Sequence, residues 1–466
     1  MPFRLGRWYL WFRQVVARLF LHAFEPVLYR IAFVWRRLLW RTRFIAITGS
    51  LGKTTAKDAL AAILALDHRA FGSVGTQNAR RLVSLNLLRV RPWHRFAVIE
   101  LGTAGPGQLI RPAVQVRPDV AIILGVAPTH IRNYRSLEDI AREKMQLLEG
   151  LKPGGLVVIN GDEPLLEAIP MDPALRVTRF GLGPGLDLRA EAITSRWPDR
   201  LSFQAVAGES RIPIRTRLVG EHWVPALLSA LLAARACGVE LRRAGEALQA
   251  LSPCRGRLEP VALPGGAIVI RDEYNASPFS YDAALKVLEQ ARAGRRIAVF
   301  GDMNDTKDKI GRRLRRLGRR AAEICDLAVF VGDNSHHARV GALRAGLSES
   351  SAVCRTDPAE AAAFLAKELR PGDLVLVKGW LCQHLERLVL AQFGTVDCWV
   401  RQCHKLIQCD ICWKLGLTAV ERNRLGGNAG ACASPGEAPE ETGANLPPGP
   451  GRPAGGGVPL RQERDD

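Results

Sequence analysis

Eight residues, Thr48-Gly49-Ser50-Leu51-Gly52-Lys53-Thr54-Thr55, set the strongest constraint on what this chain can fold into. They come after an apolar run at 44–48 that reads as a buried strand and precede a stretch at 54–66 with the apolar spacing of a helix. Glycines let backbone N–H groups approach a triphosphate, and a helix N-terminus favours the anion. Lys53 can neutralise β/γ oxygens, and a threonine hydroxyl can hold Mg²⁺. Gly49, Ser50, Gly52, Lys53, Thr54 and Thr55 are therefore the candidate ATP-binding set. The usual first glycine would stand at position 47, where this chain has Ile47, so the loop is a shortened phosphate-binding signature.

Around that loop, short apolar runs alternate with helical stretches. Residues 96–101, 120–126 and 155–160 read as strands, and 136–151 as a helix capped by Ser136. This alternation predicts an α/β domain with a mostly parallel sheet. Residues 189–217 read as β-hairpins and 223–250 as Ala/Leu-rich helix. The pattern restarts near residue 252, with strands at 267–271, 296–300, 327–331 and 373–377, so a second nucleotide-type α/β sheet is expected. The implied organisation is an N-terminal segment (1–43), a central ATP-binding domain (44–252), a Rossmann-like C-terminal domain (253–393), a cysteine-bearing segment (394–422) and a disordered Gly/Pro-rich tail (423–466).

The first 44 residues carry nine Arg against the single acid Glu25, and many aromatic residues. A bilayer span needs about 20 nearly uncharged residues. Arg13, Arg18, Glu25, Pro26 and Arg30 interrupt every candidate window, so two interfacial helices broken at Pro26 fit better, lying on an anionic membrane surface. A buried helical hairpin whose arginines snorkel outward or pair with acids is the other reading. Ten cysteines without a cleavable signal peptide point to a reducing compartment, hence a cytoplasmic protein peripheral to the inner face of the membrane. Cys398, Cys403, Cys409 and Cys412 can surround a structural Zn²⁺, with His404 as a substitute ligand; an amphipathic helix with incidental thiols and a redox or unpaired thiol cluster compete with that reading. The arginines at 312, 313, 315, 316, 319 and 320 read as a solvated helix face, and nothing else suggests nucleic acid.

The phosphate loop and the motifs C-terminal to it resemble the Mur ligase family, in particular its D-alanyl-D-alanine-adding branch without that branch's N-terminal UDP-binding domain. Glu100, ending a strand, looks like the family's acidic Mg²⁺ ligand, and Thr129-His130 like its magnesium-site histidine. Lys144 is similar to the lysine whose carbamate serves a second Mg²⁺. Asn160 and Asp162 match an Asn-x-Asp element, and Thr76-Gln77-Asn78 loosely matches a Gly-Asn-rich loop. Arg257 resembles the arginine that opens the last domain and reaches the nucleotide. Asp272, Tyr274, Asn275 and Pro278 match the loop that contacts ATP and the second substrate, and Lys378-Gly379 a late element of that domain.

The resemblance implies an ATP- and Mg²⁺-dependent carboxylate–amine ligase acting through an acyl phosphate in peptidoglycan-precursor or related envelope-polymer synthesis. Catalytic roles would fall to Lys53, Lys144 and His130, metal binding to Thr54, Glu100, His130 and Lys144, nucleotide contacts to Arg257, Asp272 and Asn275, and substrate contacts to Tyr274, Pro278 and Lys378. Departures from the pattern matter too. About 43 residues precede the first strand, too few for a nucleotide-sugar domain, so the acceptor carboxylate could be a muramoyl peptide or a lipid-linked one, with an amino acid or dipeptide as the amine. A partner subunit is a further option for supplying that domain. Ala226 replaces the family's adenine-contacting amide, and Glu273 and Ser277 alter the substrate loop. An amino-acid-polymerising ligase and a silent nucleotide-binding membrane scaffold are the competing functions.

Overall fold

Two sheets arise from the apolar runs. The computed structural model describes residues 24–303, 309–401, 403, 405, 407–412 and 415. Outside them lie most of the N-terminal segment, His404 and the whole 423–466 tail. The first sheet holds β1 (Arg43–Thr48), β2 (Ala70–Gly72), β3 (Phe96–Glu100), β4 (Val120–Ile123), β5 (Leu156–Asn160), β6 (Arg176–Gly181), β7 (Leu188–Thr194), β8 (Ser202–Ala207) and β9 (Ser210–Arg215). Their spatial order is β2-β3-β1-β4-β5-β6-β7-β8-β9. Pairing is parallel through β7, and β7-β8-β9 form the antiparallel end that the hairpin pattern predicts. Residues 44–48 of β1 are all buried, as a strand covered by helices on both faces must be.

The second sheet holds β10 (Glu259–Ala262), β11 (Ile268–Asp272), β12 (Arg295–Phe300), β13 (Leu327–Val331), β14 (Ala352–Arg355) and β15 (Asp373–Lys378), in the order β10-β11-β15-β12-β13-β14. It is parallel apart from β10. The doubly wound α/β class is thus as expected. In such sheets ligands bind beyond the strand carboxyl ends where the strand order reverses. In the first sheet that point is the end of β1, flanked by β3 and β4. The phosphate loop comes directly after β1, Glu100 ends β3, and the segment leading to His130 leaves β4.

The N-terminal helix, Glu25–Leu38, starts with Pro26 at its first turn, as proline's fixed φ allows. Its arginines do not all face outward. Arg36 is buried, donating from Nε to the Val116 carbonyl at 2.5 Å and from Nη2 to that of Arg117 at 2.8 Å, while Arg37 reaches the Gln115 and Val114 carbonyls. These cations satisfy the unpaired carbonyls at the end of helix Ile110–Val116 and oppose its dipole, a contribution of about 0.3–2 kcal/mol. These two residues thus pack on the protein through backbone carbonyls, neither pairing with acids nor reaching out to headgroups. The opposite face exposes Val27, Ile31, Val34 and Leu38, with Phe24 and Trp40 at its ends. Among the described residues, no helix is long and apolar enough to cross a membrane.

The cysteine segment meets the second sheet through a buried charge. Arg271, on β11, donates from Nη1 to Asp410 Oδ1 at 2.7 Å and from Nη2 to Asp410 Oδ2 at 2.9 Å, and its Nε and Nη2 also reach Glu273 Oε1. Burial would raise the Asp410 carboxyl, yet Arg271 outweighs it and holds that group below its ordinary range. Glu273 and Glu259 still neutralise Arg271 when Asp410 is removed, so Asp410→Ala loses the two charge-assisted bonds alone and is expected to cost about 1.5–3 kcal/mol of stability in urea titrations. A loss below about 1 kcal/mol would show that the segment is not part of the folded body.

Candidate functional site

Gly49 and Gly52 have φ of +149° and +76°, and a Cβ on Gly49 would come within 2.8 Å of the Leu124 side chain. The loop's glycines are thus required by backbone shape and by close approach to the end of β4. Ser50 fastens the loop to the same side, its amide donating to the Gly125 carbonyl and its hydroxyl to that of Ala127. Lys53 Nζ lies across the loop, 2.7 Å from the Gly49 carbonyl and 3.3 Å from that of Ser50. Burial lowers its ammonium pKa, Glu100 counters this, and Arg257 adds to it. An anion between the two cations would stabilise both.

Behind the loop, Thr54 Oγ1 donates to Glu100 Oε2 at 2.9 Å, and Asn78 Nδ2 to Glu100 Oε1 at 2.6 Å. Glu100 is buried, and its own amide donates to Ser73 Oγ at 3.0 Å. Each carboxylate oxygen keeps acceptor capacity beyond these single bonds. Lys144 is 4% exposed. Its ammonium pKa falls to about 7, mainly through burial and then through the Lys53 charge, with Glu143 opposing. Glu143 is committed elsewhere, accepting from the amides of Gly107, Gln108 and Leu109, which pins the loop leading into helix Ile110–Val116. His130 takes a left-handed φ of +54°.

These residues converge. Gly49, Ser50, Lys53, His130 and Lys144 line one cavity of about 550 Å³, together with Asn78, Arg80, Arg81 and Glu25. Asn275, from the loop after β11, lines it as well, so both sheets contribute. A second, narrower cavity of about 60 Å³ is lined by Gly52, Trp223, Arg257, Asp272, Asn275 and Lys378, among others. The Arg257 guanidinium lies 4.6 Å from the Tyr274 ring centre, and the Tyr274 hydroxyl hydrogen-bonds to Thr76 of the first sheet's loops.

Three further expected residues sit as follows. Lys378 is fully buried; its Nζ pairs with Asp272 Oδ2 at 2.7 Å and donates to the Asn275 carbonyl, which makes it a brace for the loop carrying Asp272 and Asn275. Pro278 lines neither cavity; it opens helix Pro278–Gln290, which Ser277 caps. Thr55 is buried in the first turn of its helix. The four thiols expected around zinc form no common ligand group among the described residues. Among the described residues, the one group of ligand atoms within 4.8 Å of one another is His384, Glu386 and Cys409, which excludes Cys398, Cys403 and Cys412. The Arg271–Asp410 bond and the burial of Cys409 and Cys412 draw this segment onto the protein instead.

Residues that sequence reasoning missed are Glu143, Ser73, Arg80, Arg81 and Glu25. Only the tertiary fold brings them near the loop.

Two family models cover most of the chain: the Mur ligase middle domain matches residues 47–234, and the Mur ligase glutamate ligase domain residues 256–381. A UDP-N-acetylmuramoyl-tripeptide D-alanyl-D-alanine ligase of Mycobacterium tuberculosis is 31% identical over 354 residues, 72% of this chain and 69% of that protein. The enzyme of the same name from Escherichia coli is 30% identical over 316 residues, 66% of this chain and 69% of that protein. Among solved structures, MurF from Acinetobacter baumannii superposes with a TM-score of 0.72 at 28% identity, covering 79% of this chain and 80% of that one.

Proposed function

The chain belongs to the Mur ligase family, and on that premise we propose that it joins D-alanyl-D-alanine to the carboxylate of a UDP-linked muramoyl tripeptide at the expense of ATP. The observation that carries this reading is the single cavity shared by Lys53, His130, Lys144 and Asn275, with Thr54 and Glu100 bonded behind it. The acceptor carboxylate attacks the γ-phosphorus of ATP, ADP leaves, and an acyl phosphate forms. The amine, having lost its ammonium proton, then attacks the acyl carbon and expels phosphate. Lys53 and Arg257 supply positive charge where the transferring phosphoryl group carries its negative charge. The hard oxygens of Thr54 and Glu100 fit Mg²⁺, and a carbamate on Lys144 would add another; these residues would hold an ion that would supply charge to neutralise triphosphate oxygens.

Asp272 and Asn275, braced by Lys378, carry the second sheet's contribution, and residues 44–252 and 253–393 are read as the two domains that meet at this site. Ala226 is 2% exposed, and its Cβ would lie 3.1 Å from a Cβ on Gly52. Ala226 offers the base no amide, and in this reading base selection passes to the Trp223 and Phe279 surfaces of the narrow cavity. A third cavity, about 390 Å³, lies beyond β12 and β13 and is lined by Arg132, Arg313 and Arg401 with Asp302 and Asp333. Its paired signs suit a dipeptide's carboxylate and ammonium. The intact loop and Lys144 around one cavity, with Glu100 bonded behind it, favour turnover over a silent scaffold.

Peripheral membrane contact is part of the same proposal. Val27, Ile31, Val34 and Leu38 are 47–63% exposed along one helical stripe. Glutamate at Ile31 and Val34 together is expected to lower binding to vesicles containing anionic phospholipid at least about tenfold in flotation assays. Unchanged flotation would refute membrane contact through this face.

A further inference from the structure

Beyond the ligase site, one buried cluster is left without a role. After β15 the chain makes a short turn, and His384 adopts a left-handed φ of +52° directly before helix Glu386–Leu390. Its Nδ1 lies 2.8 Å from Glu386 Oε1. From the cysteine segment, the Cys409 amide donates to the same oxygen at 2.9 Å, and its thiol faces the same carboxylate. The side chains of His384 and Glu386 are 1% and 0% exposed, and Cys409 is buried. Glu386 Oε2 makes no hydrogen bond, and neither does His384 Nε2, across the ring from the Nδ1 that meets Glu386.

The local charge is also unbalanced. Glu259, Glu273, Glu386 and Asp410 are all buried here, and Arg271 serves Glu259, Glu273 and Asp410. Arg387 is committed to the carbonyls of Gln383, His384 and Cys398. Glu386 is left facing an imidazole and a thiol, an arrangement that a neutral interior penalises and a bound cation relieves.

We infer that His384, Glu386 and Cys409 bind a divalent metal ion, zinc by the softness of the thiolate and the mixed nitrogen, oxygen and sulfur donor set, and that the ion fastens the cysteine segment to the second sheet. On binding, the Cys409 thiol gives its proton to solvent and its sulfur takes the metal, while the imidazole binds as the neutral ring. Glu386 with both oxygens, or one oxygen and a water, completes four-coordination. Magnesium and calcium, which prefer oxygen, are excluded by the sulfur. The segment so held includes Asp410, the partner of Arg271.

The test uses the full chain purified from zinc-supplemented medium. Elemental analysis is expected to find about one zinc per chain, and cobalt exchanged for it to show a thiolate-to-cobalt charge-transfer band. Cys409→Ser should abolish the band and the bound zinc; Cys398→Ser, Cys403→Ser and Cys412→Ser should keep both. Glu386→Gln should weaken zinc retention against a chelator at least about tenfold. If Cys409→Ser does not fold, the parent's metal content and the three control variants decide the question. Parent protein without zinc and without a cobalt band overturns the inference, as does a band that survives Cys409→Ser or vanishes with Cys403→Ser or Cys412→Ser.

Discussion

Lys53→Ala is expected to lower the rate of ATP-dependent amide formation at least about 10³-fold with little change in stability. The side chain's bonds run to carbonyls of its own loop, Gly49 and Ser50, so no distant element depends on it. Its removal also takes a cation out of a site where burial and Arg257 already work against charge. What is lost is the positive charge placed where the γ-phosphoryl group would be transferred. ADP release under saturating substrates, together with the thermal midpoint, separates the two effects. Undiminished turnover in the variant would show that the loop does not hold the reacting triphosphate.

Lys144 should confer a dependence on dissolved carbon dioxide. A carbamate forms when the neutral amine attacks CO₂ and loses a proton, and an ordinary lysine is almost wholly protonated at neutral pH. Burial and the neighbouring Lys53 bring Lys144 to about 7, so roughly half is neutral at that pH. Below pH 7 the ammonium therefore predominates and the carbamate is lost, and above it the amine is available. Lys144→Ala is expected to reduce kcat by about 10²–10³-fold, and added short carboxylates should restore part of it. Removing CO₂ from the buffer should depress the parent enzyme, more steeply at pH 6 than at pH 8. A parent indifferent to CO₂, or a Lys144→Arg variant of full activity, would contradict the carbamate role.

Local features were legible in the sequence and cooperative ones were not. The phosphate loop could be read directly because its chemistry needs glycine, lysine and threonine at short spacing, and strands such as 44–48 and 327–331 announce themselves as unbroken apolar runs. β2, β6, β10 and β14 escaped notice because short or half-covered strands carry little alternation. Glu143 belongs to no motif readable in the sequence, yet the loop at 107–109 folds back to give it three amides. Arg36 and Arg37 read as headgroup partners until the end of helix Ile110–Val116 arrives beneath them. Spacing alone favoured four thiols around zinc. The burial of Arg271 instead recruits Asp410, and with it brings Cys409 to His384 and Glu386. The small Ala226, a loss when judged against the family pattern, is the residue that lets the helix after Trp223 pack under Gly52.

The measurement that bears most directly on the proposed ligase is ADP and phosphate release by the purified chain, with Mg²⁺ and ATP, across UDP-linked and lipid-linked muramoyl peptides paired with amino acids and dipeptides. The predicted result is release that requires both a UDP-muramoyl tripeptide and D-alanyl-D-alanine, with one ADP formed per amide bond. ATP binding without release under any pair, or release independent of acceptor and amine, would contradict it.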